Sequence, residues 1–141
     1  MAGHMDVDQA LARVDSAGLG RLATVTPSGA PHLVPVMLAV CDKRLVSAID
    51  HKPKGTQRLA RLRNIAHEPR VAVLLDHYED DWSRLWWMRV DGLATIVEGG
   101  LRHEQAVQAL VARHPQYRDR PPIGPAIIIE VVLVTAWQAV G

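Results

Sequence analysis

Arg21-Leu22-Ala23-Thr24-Val25-Thr26-Pro27-Ser28-Gly29-Ala30-Pro31-His32-Leu33-Val34-Pro35-Val36 is strand, turn and strand in succession. Residues 21–25 alternate as a strand does, and residues 26–29 supply turn chemistry, with Pro27 suited to the second turn position. Residues 32–40 are then an almost unbroken apolar run, whose length and flanking turns favour a buried strand over a helix. Pro35 removes one ladder donor, which places that strand at an edge or a bulge. Residues 41–43 form a second turn and residues 44–49 a third strand, so the first three strands make a meander with short connections.

Working outward, Val7, Ala10, Leu11 and Val14 have amphipathic-helix spacing, and Gly18 and Gly20 end that helix. Thr56 can cap a second helix to about Ala66, with Leu59, Leu62 and Ala66 on its apolar face. Residues 70–75 are a fourth strand, and residues 77–83 an acidic loop. Residues 85–97 are a long strand with a bend or bulge at Gly92. A third helix over residues 101–114 carries Val107, Leu110, Val111 and His114 on one side. A proline-rich loop, 115–125, leads to a last strand, 126–137. Six strands with three short helices at their connections indicate a mainly β fold, an antiparallel barrel with helices around it. No repeat, linker or second domain interrupts residues 6–141. The opening Met-Ala-Gly-His-Met is open to being read as a cloning remnant and is given no structural weight.

Composition sets outer limits. The 141 residues suit one domain, 48% of them are apolar, and there is no Phe, so Val, Leu, Ile and Ala must build the core. Cys41 alone makes no disulfide framework or Cys-rich zinc site, and a reducing cytoplasm is its natural compartment. The start lacks the apolar core of a signal peptide, and no apolar run reaches the length of a membrane helix.

Charge is concentrated. The chain has three lysines, and two of them, Lys52 and Lys54, stand in residues 51–67 with Arg58, Arg61 and Arg63 and no acid. Lys52 and Lys54 have strand spacing and share a direction, Gly55 permits close backbone approach, and Thr56 opens a helix whose free N–H groups favour an anion. Arg58 and Arg61 lie three apart on one helix face. A phosphate clamp, a solvated basic helix and a nucleic-acid patch all fit this segment. The near-zero net charge and the lack of interleaved aromatics weaken the last.

A second constellation is Trp82-Ser83-Arg84-Leu85-Trp86-Trp87-Met88-Arg89-Val90-Asp91-Gly92. Alternation puts Trp86, Met88 and Val90 on a core face. Leu85, Trp87, Arg89 and Asp91 fall on a mixed face suited to a subunit interface or a ligand wall. Arg89 and Asp91 equally suit a plain ion pair. His77-Tyr78-Glu79-Asp80-Asp81 reads as a solvated acidic loop rather than a metal site, because no second ligand cluster completes it. Dinucleotide, Walker, nucleophile-elbow and zinc-protease motifs are missing, and Cys41 has no evident base. No catalytic side chain is identified and no metal is expected. An enzyme without such groups relies on a cofactor for its chemistry.

The hairpin at residues 21–36 resembles that of the pyridoxamine-phosphate-oxidase-like split-barrel flavoproteins. Asp50-His51-Lys52-Pro53-Lys54, Arg61-Leu62-Arg63-Asn64-Ile65 and Asp81-Trp82-Ser83-Arg84-Leu85-Trp86-Trp87 are similar to the small actinobacterial branch that uses the deazaflavin F420. The resemblance runs from about Val7 to Trp137. It implies a six-stranded antiparallel split β-barrel homodimer, with cofactor sites at the subunit interface. By position it implies that Lys52 and Lys54 grip the cofactor phosphate. Thr56 and Arg58 follow at the helix start. His32, Val34, Pro35 and Val36 lie against the ring, and Ala48, Ile49, Asp50 and His51 line its edge. Trp87 and Arg89 form a wall supplied by the partner subunit. The C-terminus lacks the substrate-binding Arg and His of pyridoxamine-phosphate oxidases, which argues against that specific activity. The implied function is an F420-dependent oxidoreductase acting on a small molecule, without nucleic-acid or membrane partners. An FMN-dependent oxidase or reductase of the same fold, and a cofactor- or haem-binding protein without turnover, are the alternatives.

Overall fold

The computed structural model describes residues 3–50 and 56–140, and for residues 56–59 the backbone alone. The elements are β1 (Gly3–His4), α1 (Val7–Ala17), β2 (Leu19–Val25), β3 (Pro31–Met37), β4 (Ala39–Cys41), β5 (Arg44–Ala48), α2 (Thr56–His67), β6 (Arg70–His77), β7 (Trp86–Val97), α3 (Leu101–Arg113) and β8 (Ala126–Gln138). One-turn 3-10 helices at Trp82–Arg84 and Pro115–Tyr117 complete the order. All strand pairs are antiparallel, in the order β3-β2-β6-β7-β8-β5-β4, with β1 paired to β8. The protein is mainly β with three helices, and its curled antiparallel sheet is a split barrel. Among the described residues, no helix is long and apolar enough to cross a membrane.

The apolar run after the first turn is two strands rather than one. β3 pairs with β2 at one end of the sheet, and β4 pairs with β5 at the other. The chain therefore turns a corner at Leu38, and this corner joins the two ends of the curled sheet. The buried backbone there is fully served: the Leu38 N–H donates to the Gly18 carbonyl (2.8 Å), and His114 Nε2 donates to the Leu38 carbonyl (2.8 Å). Pro35 sits on β3, an end strand paired only with β2, as its missing donor requires.

Residues 1–5 received no structural weight from sequence, yet Gly3 and His4 pair with Ala136 and Thr135, and Met5 packs on the core. The barrel interior is aliphatic, with Leu22, Leu38, Leu45, Val73, Met88, Val90, Ile127 and Ile129 all but fully buried. A second cluster, Ala39, Val46, Ala106, Leu110, Tyr117, Ala126 and Ile128, lies between the sheet and α3. The start of β8 is thus covered on both faces, which explains its unbroken isoleucine run. α1 buries Ala10, Leu11 and Val14, and Asp6 caps its first turn. α2 turns Asn64 and Ile65 inward with Leu62, and Ala66, expected inside, is exposed. Leu85, expected on the outer face of the long strand, precedes β7 and is buried.

Candidate functional site

A cleft of about 170 Å³ opens where the end of β3, the end of β5, α2 and the second 3-10 turn meet. Pro35, Val36 and Met37 form one part of the lining and Ser47, Ala48, Ile49 and Asp50 a second, and Arg61 and Tyr117 complete it. The end of β5 is strapped by the proline-rich loop. Ile49 N–H donates to the Pro125 carbonyl (3.0 Å), Gly124 N–H to the Ile49 carbonyl (3.0 Å), and Ile123 N–H to the Asp50 carbonyl (3.5 Å). His103 Nε2 on α3 donates to the Gly124 carbonyl (2.8 Å), which ties the strap to a helix.

One side-chain bond completes the strap. The Tyr117 hydroxyl donates to Asp50 Oδ1 at 2.7 Å. Burial, then the hydrogen bond to Asp50, then the Asp50 charge push the Tyr117 phenol well above the ordinary tyrosine range, so it stays a protonated donor. The cleft therefore offers an apolar wall, a carboxylate held by the Tyr117 hydroxyl and a guanidinium. Such a set suits a flat ring with polar edges.

Five of the residues expected at a cofactor come together here: Pro35, Val36, Ala48, Ile49 and Asp50. Val34 turns instead toward the barrel core, and His32 is half-buried, its Nδ1 shielded from solvent without a hydrogen-bond partner among the described residues. Thr56 opens α2 and Arg58 lies in its first turns, but their side chains are outside the described set. His51, Lys52 and Lys54 also fall outside the described residues. Trp87 and Arg89 do not line the cleft. They stand in a separate groove of about 520 Å³ on the outer face of the sheet, with Leu33, Leu74 and Tyr78. Arg89 pairs with Asp91 at 3.2 Å. The two depressions flank the same strand, since Leu33 lines the groove and Pro35, two residues on, lines the cleft.

Sequence reasoning passes over Tyr117 and Ser47, and it places Arg61 in the basic helix segment without assigning it to the cofactor. Signals existed for two of them. Tyr117 is the sole Tyr, Trp or Phe between Trp87 and Trp137, in a loop otherwise polar or proline-rich. Arg61 precedes the buried Ile65 by four positions, so it shares the inward face of α2. Arg63 is exposed, in line with a surface charge.

The pyridoxamine 5'-phosphate oxidase family model matches residues 7–139. The chain is 41% identical over 59 residues to a 5a,11a-dehydrotetracycline/5a,11a-dehydrooxytetracycline reductase of Streptomyces rimosus; the match covers 42% of this chain and 40% of that relative. Among solved structures, a conserved hypothetical protein of Mycobacterium tuberculosis superposes with a TM-score of 0.77 at 24% identity, over 95% of this chain and 85% of the other. A haem-binding protein of Mycobacterium smegmatis gives 0.72 at 20% identity, over 99% and 57%. A FAD-binding protein of Mesorhizobium loti gives 0.67 at 17% identity, over 96% and 95%. These three likenesses speak for the split-barrel fold, and the family match extends over nearly the whole chain: the protein belongs to the pyridoxamine 5'-phosphate oxidase family.

Proposed function

We propose that the protein is an F420-dependent oxidoreductase that works as a homodimer. The observation that carries this is the cleft whose strapped rim, Ile49–Asp50, leads directly in sequence into His51-Lys52-Pro53-Lys54. A ring edge meets Asp50, Ser47 and Arg61 there, and the lysine pair that follows Asp50 in the chain grips the cofactor phosphate. Thr56 and Arg58 add an amide and a cation at the start of α2. His32, whose shielded Nδ1 has no hydrogen-bond partner among the described residues, supplies a further polar atom on the strand that the ring lies against. When bound, the deazaflavin supplies a hydride from C5 to an electron-poor carbon. The chain's own residues anchor the phosphate, orient the ring and exclude water. The reductase relative, whose name places its action on a dehydrotetracycline, supports an electron-poor enone as the substrate type.

The dimer reading rests on the outer sheet face. Leu33, Leu93, Val132 and Leu133 are 66%, 43%, 65% and 41% exposed on one chain, an apolar surface beside Trp87 and Arg89. A second copy seated there covers that surface and carries its Trp87 and Arg89 toward the first copy's cleft. FMN is the second cofactor reading, supported by the family and by the FAD-binding structural neighbour.

Equilibrium titration with F420 and with FMN tests the cofactor. Oxidation of reduced F420 in the presence of quinones, enones and nitroaromatics then tests turnover. Tight F420 binding with turnover of at least one acceptor is the expected result. Binding of FMN alone transfers the protein to the FMN-dependent class. Tight F420 binding with no acceptor turned over makes it a carrier.

A further inference from the structure

Asp50 has two carboxylate oxygens and only one of them is spent within the described fold. Oδ1 accepts the Tyr117 hydroxyl at 2.7 Å, while Oδ2 has no hydrogen-bond partner among the described residues. The residue lies in the cleft lining and is exposed, and its partner Tyr117, in the same lining, is 9% exposed. The backbone of Asp50 is fixed as well, through the Ile123 N–H on its carbonyl and the two bonds between Ile49 and the strap. The Tyr117 ring meets His114 edge-on at 5.8 Å, and His114 in turn holds the barrel corner at Leu38. A charged acceptor is therefore presented to the cleft in one orientation, held by groups with their own anchors.

From this geometry we infer that Asp50 reads the imide N–H of a pyrimidine-dione ring edge, with Tyr117 as its positioning residue. The inference rests on the cofactor proposal and sharpens it, because it names the chemical group that selects the ligand. Flavins and deazaflavins both carry a ring N3–H between two carbonyls. A porphyrin offers no outward N–H, and its propionates are anionic, so an aspartate in that place has nothing to accept and repels the carboxylates. Arg61 also lines the cleft, and a guanidinium is a donor of the kind that ring carbonyls accept. The Asp50 acceptor that suits a flavin or deazaflavin thus disfavours haem at this edge, although a haem-binding protein shares the fold.

The experiment compares ligands that differ only at that nitrogen. FMN and the deazaflavin chromophore are each titrated beside their N3-methyl derivatives, against wild type, Asp50→Ala and Tyr117→Phe. Wild type should prefer the N3–H form by about tenfold or more, the size expected of a hydrogen bond to a charged acceptor. Asp50→Ala should lower that preference to about threefold or less, and Tyr117→Phe should reduce it while leaving the ring and its packing in place. Thermal melting of each variant reports folding independently of binding. Equal wild-type affinity for the two forms overturns the inference and leaves the cofactor proposal standing, as does a preference that survives in Asp50→Ala. A preference unchanged in Tyr117→Phe overturns the positioning role. Failure of wild type to bind any flavin or deazaflavin overturns the cofactor proposal, and the inference with it.

Discussion

At Gly92 a Cβ atom would lie 2.6 Å from the Glu130 carbonyl oxygen and 2.6 Å from Ile129 Cγ2. The register of β7 on β8 shifts between Asp91 and Gly92, so the backbones crowd at the bend of the long strand. Gly92→Ala is expected to destabilise the fold by about 1–3 kcal/mol, the usual cost of overpacking, measured by chemical denaturation. Tyr117 gives a pH signature. Its phenol titrates from an ordinary value of 10.0 in the unfolded chain to a higher one in the fold. Burial first, and then the bond to Asp50 and its charge, raise it, so the fold gains stability from the protonated phenol that is complete below the unfolded value and is lost as pH rises from there through the folded one. Unfolding free energy should fall in the alkaline range, and Tyr117→Phe should show a shallower fall. Equal slopes in the two proteins contradict the raised titration of the buried, Asp50-bonded Tyr117 phenol. Gly92 was legible as a bend because a lone glycine interrupts an otherwise alternating strand. Asp50 was legible as the residue that follows the third strand, and its place at a ring edge is what the resemblance implies. The pairing of Tyr117 with Asp50 was not legible, because the two are distant in sequence and no local pattern encodes a loop-to-strand hydrogen bond, although a lone aromatic in that loop marked Tyr117 itself.

Among the elements, the corner at Leu38 carries the most consequence. Periodicity cannot separate one long buried strand from two strands meeting at a kink, since both are continuous apolar runs. The corner depends on acceptors and donors brought from elsewhere: Gly18, the left-handed cap of α1 at φ 70°, and His114 at the end of α3. Arg113 reinforces the same junction by donating to the Asp15 and Ser16 carbonyls at the end of α1. His114→Ala strands a buried carbonyl and is expected to cost about 1–3 kcal/mol in a denaturation experiment. A loss below a few tenths would show that the corner is held by packing alone. The inward face of α2 was misread for a related reason. Asn64 is polar, but its Nδ2 donates to Thr24 Oγ1 at 3.0 Å inside the fold, so a buried position looked like a surface one.

On the scale of the whole molecule, the three helices and the barrel were readable because aliphatic alternation and turn residues mark each element, whereas the six expected strands are eight, since the run over residues 32–40 splits at Leu38 and Gly3–His4 adds a short strand on β8. The separation of Trp87 and Arg89 from the cleft has a physical cause: outward residues of β7 share the outer sheet face with Leu33, and one chain cannot fold that face onto its own cleft. Dimerisation through this face is the proposed remedy. Leu33→Lys with Val132→Lys should shift the protein to monomer in sedimentation equilibrium and weaken cofactor binding together; a dimer that persists with both lysines in place assigns the contact elsewhere. The most direct measurement of the central claim is F420 affinity of wild type beside the Lys52→Ala, Lys54→Ala double variant at moderate salt. Loss of two phosphate contacts predicts weakening by about a hundredfold or more, with melting temperature unchanged. Equal affinity in the two proteins would contradict the claim that this segment grips the cofactor phosphate.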